Sequence, residues 1–200
     1  MKVENIKVYD LEESFNASSF PMSDGTNKEF DFEKAKKRMS KLGSVESGSG
    51  HDCALKGILV SMDITMPQYW WMQFQRYHFA DIVSSESKMH KILKFDIEEK
   101  CNNYVLKSNI KNLQNLINCY NDYDSYIEKV EEKLSKEELY HTIISNVPMG
   151  LELKARISTN YLQLKSIYKQ RRNHKLNQWQ FFCDICEKLP YFSELTGCGE

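Results

Sequence analysis

Apolar and polar positions first alternate over Ile6–Leu11, which predicts an opening strand. Asn16–Pro21 reads as a polar turn and Ser23–Asn27 as a loop. Phe30, Phe32, Ala35, Met39 and Leu42 then recur at helical spacing, so 29–42 is a helix with Gly43 at its C-terminal cap. Ser44–Gly50 is a loop of small residues ending at His51-Asp52, and it could close over a ligand. Leu55–Thr65 alternates again: Ile58, Val60, Met62 and Ile64 share one face, and Leu59, Ser61, Asp63 and Thr65 the other. Pro67 ends that strand and opens an aromatic helix expected to reach Phe79.

Beyond a loop over Ser84–Lys91 and an extended piece at Leu93–Asp96, helical spacing returns. Ile110, Leu113, Leu116, Ile117, Tyr120, Tyr126 and Val130 predict a helix over 109–134, with a kink or break at Asn121–Asp124. Ser135-Lys-Glu-Glu138 has the capping-box form and starts another helix to about Ser145. Val147–Gly150 is a turn and Leu151–Thr159 an extended crossing piece. Asn160 is an N-cap for a helix to about Arg172. A last helix spans 176–188, with Trp179, Phe182, Cys183 and Cys186 near one face and Pro190 beyond its end.

Candidate chemistry gathers in Pro67–His90. Gln73 and Arg76 stand three apart, which on a helix puts them on one face. With His78, Ser84 and Lys88 they offer a planar fork, a hydroxyl and a point charge, a set suited to a nucleotide phosphate. A solvated helix end with a polar loop is the alternative. Lys169–Lys175 is a second cationic cluster, holding Arg171, Arg172 and His174. The dipole at a helix C-terminus favours such cations by roughly 0.3–1 kcal/mol each. That accounts for Lys169 and Lys175, but it does not require two adjacent arginines.

Charge and cysteine content narrow the picture. The net charge of −1 over 200 residues gives no footprint for nucleic acid. No stretch is apolar enough to span a bilayer and no signal pattern opens the chain, so a single cytoplasmic domain is expected. The six cysteines are then reduced thiols. Cys183-Asp-Ile-Cys186 lies inside a helical pattern without a second pair, and reads as core thiols rather than half a zinc site. Phosphate loops of the Rossmann or Walker type and a nucleophile elbow are missing from the sequence.

Several of these stretches, in order, resemble the flavin-dependent thymidylate synthases, the ThyX family. Gly50-His51-Asp52 matches the family's Gly-His-Glu turn, and Arg76-Tyr77-His78 falls on its Arg-His-Arg. Asp81–Lys88 falls on the signature Ser-x-Asn-Glu-x-Ser-x-Arg, with Lys88 in place of the terminal Arg. Asn160 falls on an Asn-Ala-Arg turn, and Arg171 or Arg172 with Gln178-Trp179 on the Leu-Arg…Ala-Gln-Trp-Glu helix. The likeness covers most of 50–185 and is weakest over 96–140.

The resemblance implies an α/β (α+β) fold of the ThyX type, an antiparallel or mixed sheet flanked by long helices. It implies reductive methylation of dUMP to dTMP, with methylenetetrahydrofolate as carbon donor, reduced FAD as hydride donor and NADPH as reductant. His51, Cys53, Arg76, Tyr77, His78, Asn160 and His174 would line the flavin. Gln73, Arg76, Ser84, Ser85, Glu86, Ser87 and Lys88 would hold dUMP, with Lys88 on its phosphate. Arg171 or Arg172 would polarise the uracil. A homotetramer is implied as well. A ThyX-like enzyme with altered one-carbon chemistry, and a non-catalytic flavin- or nucleotide-binding protein, are the rival readings.

Overall fold

The computed structural model describes residues 1–25, 29–131 and 133–199. The described residues form an α+β protein with one four-stranded antiparallel sheet, whose strands, numbered along the chain, lie in the order first, second, fourth, third. It divides into two compact units. One comprises Met1, Thr65–Gln73 and Ser85–Ala155; the other comprises Lys2–Ile64, Phe74–Ser84 and Arg156–Glu200.

Strand β1 spans Lys2–Tyr9. It stops short of the expected Leu11 because Asp10 turns left-handed (φ 58°) and Leu11 opens helix α1, Leu11–Ala17. The polar turn expected from Asn16 is thus partly helical, and Phe20–Met22 adds a 3-10 turn with Pro21 near its start. Of the expected loop 23–27, Thr26 and Asn27 lie outside the described residues. Helix α2, Phe32–Gly43, is capped by Asp31, whose carboxylate accepts the Lys34 N–H. A 3-10 segment over His51–Gly57 takes the first residues assigned to the second strand. Strand β2 is accordingly Leu59–Pro67, and its alternation holds: Val60, Met62, Ile64 and Met66 are fully buried.

Helix α3 is short, Gln68–Phe74. Its first N–H groups, which no preceding helical carbonyl can satisfy, donate to Leu151 and Met149. It ends five residues before the expected Phe79, where the Tyr77 N–H closes a turn on the Phe74 carbonyl. Gln73 and Arg76 therefore do not share a helix face. The expected loop after Ser84 is also ordered otherwise. Strand β3 covers Asp81–Ser85, and Ser87 caps the short helix α4, Lys88–Lys91. Leu93–Asp96 is not extended: Ile92–Lys94 is a 3-10 turn and Asp96 caps α5, Ile97–Lys100.

Helix α6, Lys107–Asn121, breaks at Asp122 as the polar run suggests, and α7 covers Tyr123–Lys129. Helix α8, Lys136–Ser145, carries the full capping box between Ser135 and Glu138. In this unit Ile92, Ile97, Leu113, Ile117, Ile143 and Leu151 form the core. Strand β4, Glu152–Asn160, leads into α9, Tyr161–Arg171, with the Asn160 carboxamide accepting the Gln163 N–H. Helix α10, Asn177–Glu187, buries Trp179, Phe182, Cys183 and Cys186 at i, i+3, i+4 and i+7. Helix α11, Phe192–Thr196, follows a left-handed Tyr191 and had no sequence expectation.

Candidate functional site

The second unit holds a cleft of about 470 Å³, lined partly by apolar groups. One wall is the loop after α2, with Ser47, Gly48 and Gly50. The next is the 3-10 segment, with Asp52, Cys53 and Lys56. The third is the start of α9, with Asn160, Leu162, Gln163 and Ser166; Phe79 completes the lining. Gly48 and Gly50 have φ of +96° and +80°, and a Cβ at either would meet nothing within 4 Å. The left-handed backbone favours glycine there and leaves the loop's main chain bare toward the space.

Cys53 and Asn160, two of the expected cofactor residues, line this cleft. His51 is exposed and follows Gly50 at the start of the 3-10 segment. Arg76 and His78 are exposed on the turn before β3. Asn160 has a second task, since its carboxamide oxygen is engaged as the cap of α9. Phe79 is two-thirds exposed (67%), and its carbonyl accepts the Thr159 hydroxyl at 2.8 Å.

The loop wall is anchored by a residue that the motif reading missed. Lys165 on α9 is fully buried. Its ammonium donates to the carbonyls of Gly43 (2.7 Å) and Val45 (2.6 Å) and to the carboxylate of Asp52 (2.9 Å). Three donors meet three acceptors, as a desolvated ammonium requires. A signal was present in the sequence: Tyr161, Leu164, Lys165 and Tyr168 stand at i, i+3, i+4 and i+7, the core stripe of α9.

The two candidate arginines occupy different surroundings. Arg171 donates from Nε to the Tyr77 hydroxyl at 2.7 Å, and its guanidinium lies 4.7 Å from the Trp179 ring centroid and 5.7 Å from that of Tyr77. The Tyr77 hydroxyl in turn donates to Gln170 at 3.1 Å. Arg172 is engaged by carboxylates, hydrogen-bonding Asp184 and lying 3.5 Å from Glu187. Its guanidinium also stands 5.7 Å from the Tyr168 ring centroid, and Tyr168 donates its hydroxyl proton to Glu187 at 2.5 Å. His174 Nδ1 accepts the Leu176 N–H at 3.1 Å, ahead of α10. Burial, then the Arg171 and Lys175 cations, hold the imidazole below its ordinary pKa.

The polar signature stretch closes β3 and continues in the first unit. Ser84 and Ser85 are exposed at the end of β3. Glu86 accepts both the Lys100 ammonium (2.7 Å) and the Lys154 N–H (2.9 Å), while its own N–H donates to the Lys154 carbonyl (2.8 Å). Burial pushes the Glu86 pKa up, but those two donors outweigh it and hold it below the ordinary value. Ser87 accepts the His90 N–H as the α4 cap, and Lys88 donates to Gln68 at 2.7 Å. Gln73 is half-buried near the end of α3.

The CxxC thiols are fully buried. Burial, foremost, pushes Cys183 up to about 12 and Cys186 well above its ordinary value. Among the described residues no group of three or more His, Cys, Asp or Glu side chains could hold a metal ion. No helix of the described residues is long and apolar enough to cross a membrane.

An α+β chain with this sheet order and an α9 capped at its entry defines a fold class. Comparison with solved structures identifies it as the ThyX fold. The structure of thymidylate synthase X from Helicobacter pylori with FAD and dUMP matches at a TM-score of 0.74 and 14% identity, over 98% of this chain and 97% of that one. A second structure of flavin-dependent thymidylate synthase ThyX from Helicobacter pylori, complexed with FAD and dUMP, matches at 0.69 and 15% identity over the whole of both chains. No family model and no curated protein matches the sequence.

Proposed function

We propose that this single-domain chain is a flavin-dependent thymidylate synthase, converting dUMP to dTMP. The observation that carries the reading is the whole-length likeness to ThyX structures containing FAD and dUMP, at a chain where Cys53 and Asn160 line one cleft. The donor set there suits a flavin nucleotide. Bare glycine backbone and the Lys56 cation suit phosphate, and Phe79 and Leu162 suit a ring. A flavin held there would supply hydride drawn from NADPH, and methylenetetrahydrofolate would supply the carbon.

The chain's own residues bind, orient and stabilise charge. His51, Cys53, Arg76, Tyr77, His78, Asn160 and His174 would line the cofactor. Gln73, Arg76, Ser84, Ser85, Ser87 and Lys88 contact dUMP, and Glu86 braces that stretch through Lys100. Arg171 is the arginine assigned to the uracil. The Tyr77 hydroxyl and the Trp179 face hold its guanidinium in one orientation, so little reorganisation is needed as charge develops on the ring. Arg172 is assigned a structural role with Asp184 and Glu187. The working assembly is a homotetramer, which sedimentation of the purified chain would reveal.

Anaerobic incubation with FAD, NADPH, methylenetetrahydrofolate and dUMP tests the reading by product mass. It predicts dTMP; unchanged dUMP in a flavin-loaded protein contradicts it. The internal contacts of Glu86, Ser87 and Lys88 favour one second reading, a flavin- or nucleotide-binding protein without this turnover. A product mass other than dTMP would instead mark altered one-carbon chemistry.

A further inference from the structure

We infer that Lys165 is a positioning residue, a buried clasp that holds the glycine loop in its cleft-forming shape. Its three acceptors are not scattered. Gly43 is the last residue of α2 and Val45 starts the loop, while Asp52 stands just past the loop's far end. One ammonium thus closes both ends of the segment 46–51, which carries Ser47, Gly48, Gly50 and His51. Cys53 and Lys56 follow directly in the 3-10 segment. The lysine itself is 0% exposed, so it touches no ligand. It acts through the loop.

The physical need for such a clasp is plain in the loop's composition. Two glycines at positive φ within 46–51 leave the unfolded segment with unusual freedom to lose. Van der Waals packing cannot fix it, because Ser47, Gly48, Ser49 and Gly50 are all exposed. A charged anchor in a dry environment can, since withdrawing the ammonium would strand a buried carboxylate and two carbonyls. The inference rests on the flavin reading only for the identity of the cleft's ligand.

The test uses the full chain with Lys165→Met combined with Asp52→Asn, which removes both charges rather than stranding one. Asp52→Asn alone measures any direct part of that side chain in binding. If the double variant fails to fold, Lys165→Gln, which keeps one donor group, replaces it. Two readouts are taken: amide hydrogen exchange along the chain and FAD affinity by fluorescence titration. A clasp predicts faster exchange confined to 44–53, and an FAD Kd raised about tenfold beyond that of Asp52→Asn, as when only a tenth of molecules hold the competent loop. Exchange in 44–53 that stays as slow as in the parent overturns the clasp. Loosened exchange with unchanged FAD affinity, in a parent that binds FAD, overturns its role in the cleft. A parent that takes up no FAD defeats the flavin reading instead, and the exchange result alone then decides the clasp.

Discussion

Adjacent residues of one type can occupy unrelated surroundings, as Arg171 and Arg172 do. Arg171 faces a phenol and an indole, whereas Arg172 is tied to Asp184 and Glu187. Arg171→Ala is expected to lower turnover by about 10²–10³-fold with flavin still bound. Arg172→Ala is expected to cost stability of about 0–1 kcal/mol, the range of an exposed ion pair. Equal and mild kinetic effects of both would remove Arg171 from its role. Thiol chemistry gives a second outcome at this scale. Cys53 is exposed while Cys183, Cys186 and Cys198 are buried with raised pKa values. A disulfide reagent should modify Cys53 in the native protein and reach those three only on unfolding.

His174 links residue chemistry to pH. Its folded-state pKa lies below that of the unfolded chain, so between the two values the unfolded state holds more protons. The contribution to stability is complete above the unfolded value and is lost as pH falls through the interval to the folded one. NMR titration should find the His174 midpoint more acidic than that of free histidine; a midpoint at or above it would contradict the burial and cation arguments. Motif spacing located these residues without distinguishing their surroundings. The partition of the arginines depends on Asp184 and Glu187 one helix later, a tertiary fact that no local pattern carries.

At the scale of elements, legibility followed periodicity. The caps at Ser135 and Asn160, the buried face of β2 and the apolar stripe of α10 were all readable because local chemistry and tertiary packing agree there. The aromatic helix was overextended because Trp70, Trp71 and Phe74 satisfy a helical pattern that the backbone abandons after Phe74. Ile82 and Val83, β-branched and next to the loop assigned after them, carried the missed strand. Lys165 was missed because a lysine on a core stripe is read as solvent-facing unless its acceptors are known.

Two element-scale outcomes follow. Asn160→Asp keeps an acceptor for the Gln163 N–H and should leave thermal stability near that of the parent while weakening FAD binding, whereas Asn160→Ala should also lose about 1 kcal/mol of stability. Matching thermal melts for Asp and Ala would remove the cap from the account. At Gly43 an added Cβ would come within 2.2 Å of the Leu195 carbonyl oxygen, so Gly43→Ala should destabilise by about 1–3 kcal/mol in denaturant titration. An unchanged midpoint would mean that the end of α2 does not lie against α11 at the Leu195 carbonyl.

At the scale of the whole molecule, the ThyX fold persists where sequence identity to its solved relatives is only 14–15%. Within it the alternating strand, the capped α9 and the glycine loop are each set by backbone geometry or burial rather than by particular surface side chains. The Arg-Tyr-His turn and the Lys88 stretch depart from the ThyX motifs they resemble, and fold alone does not decide activity. The central claim is therefore that a ThyX fold with these substitutions still takes up flavin and pyrimidine nucleotide together. The visible absorption spectrum of the purified chain, recorded after addition of FAD and again after dUMP, tests it most directly. The account predicts protein-bound flavin bands that shift when dUMP is added. A colourless protein that fails to retain FAD, with no response to dUMP, would contradict it.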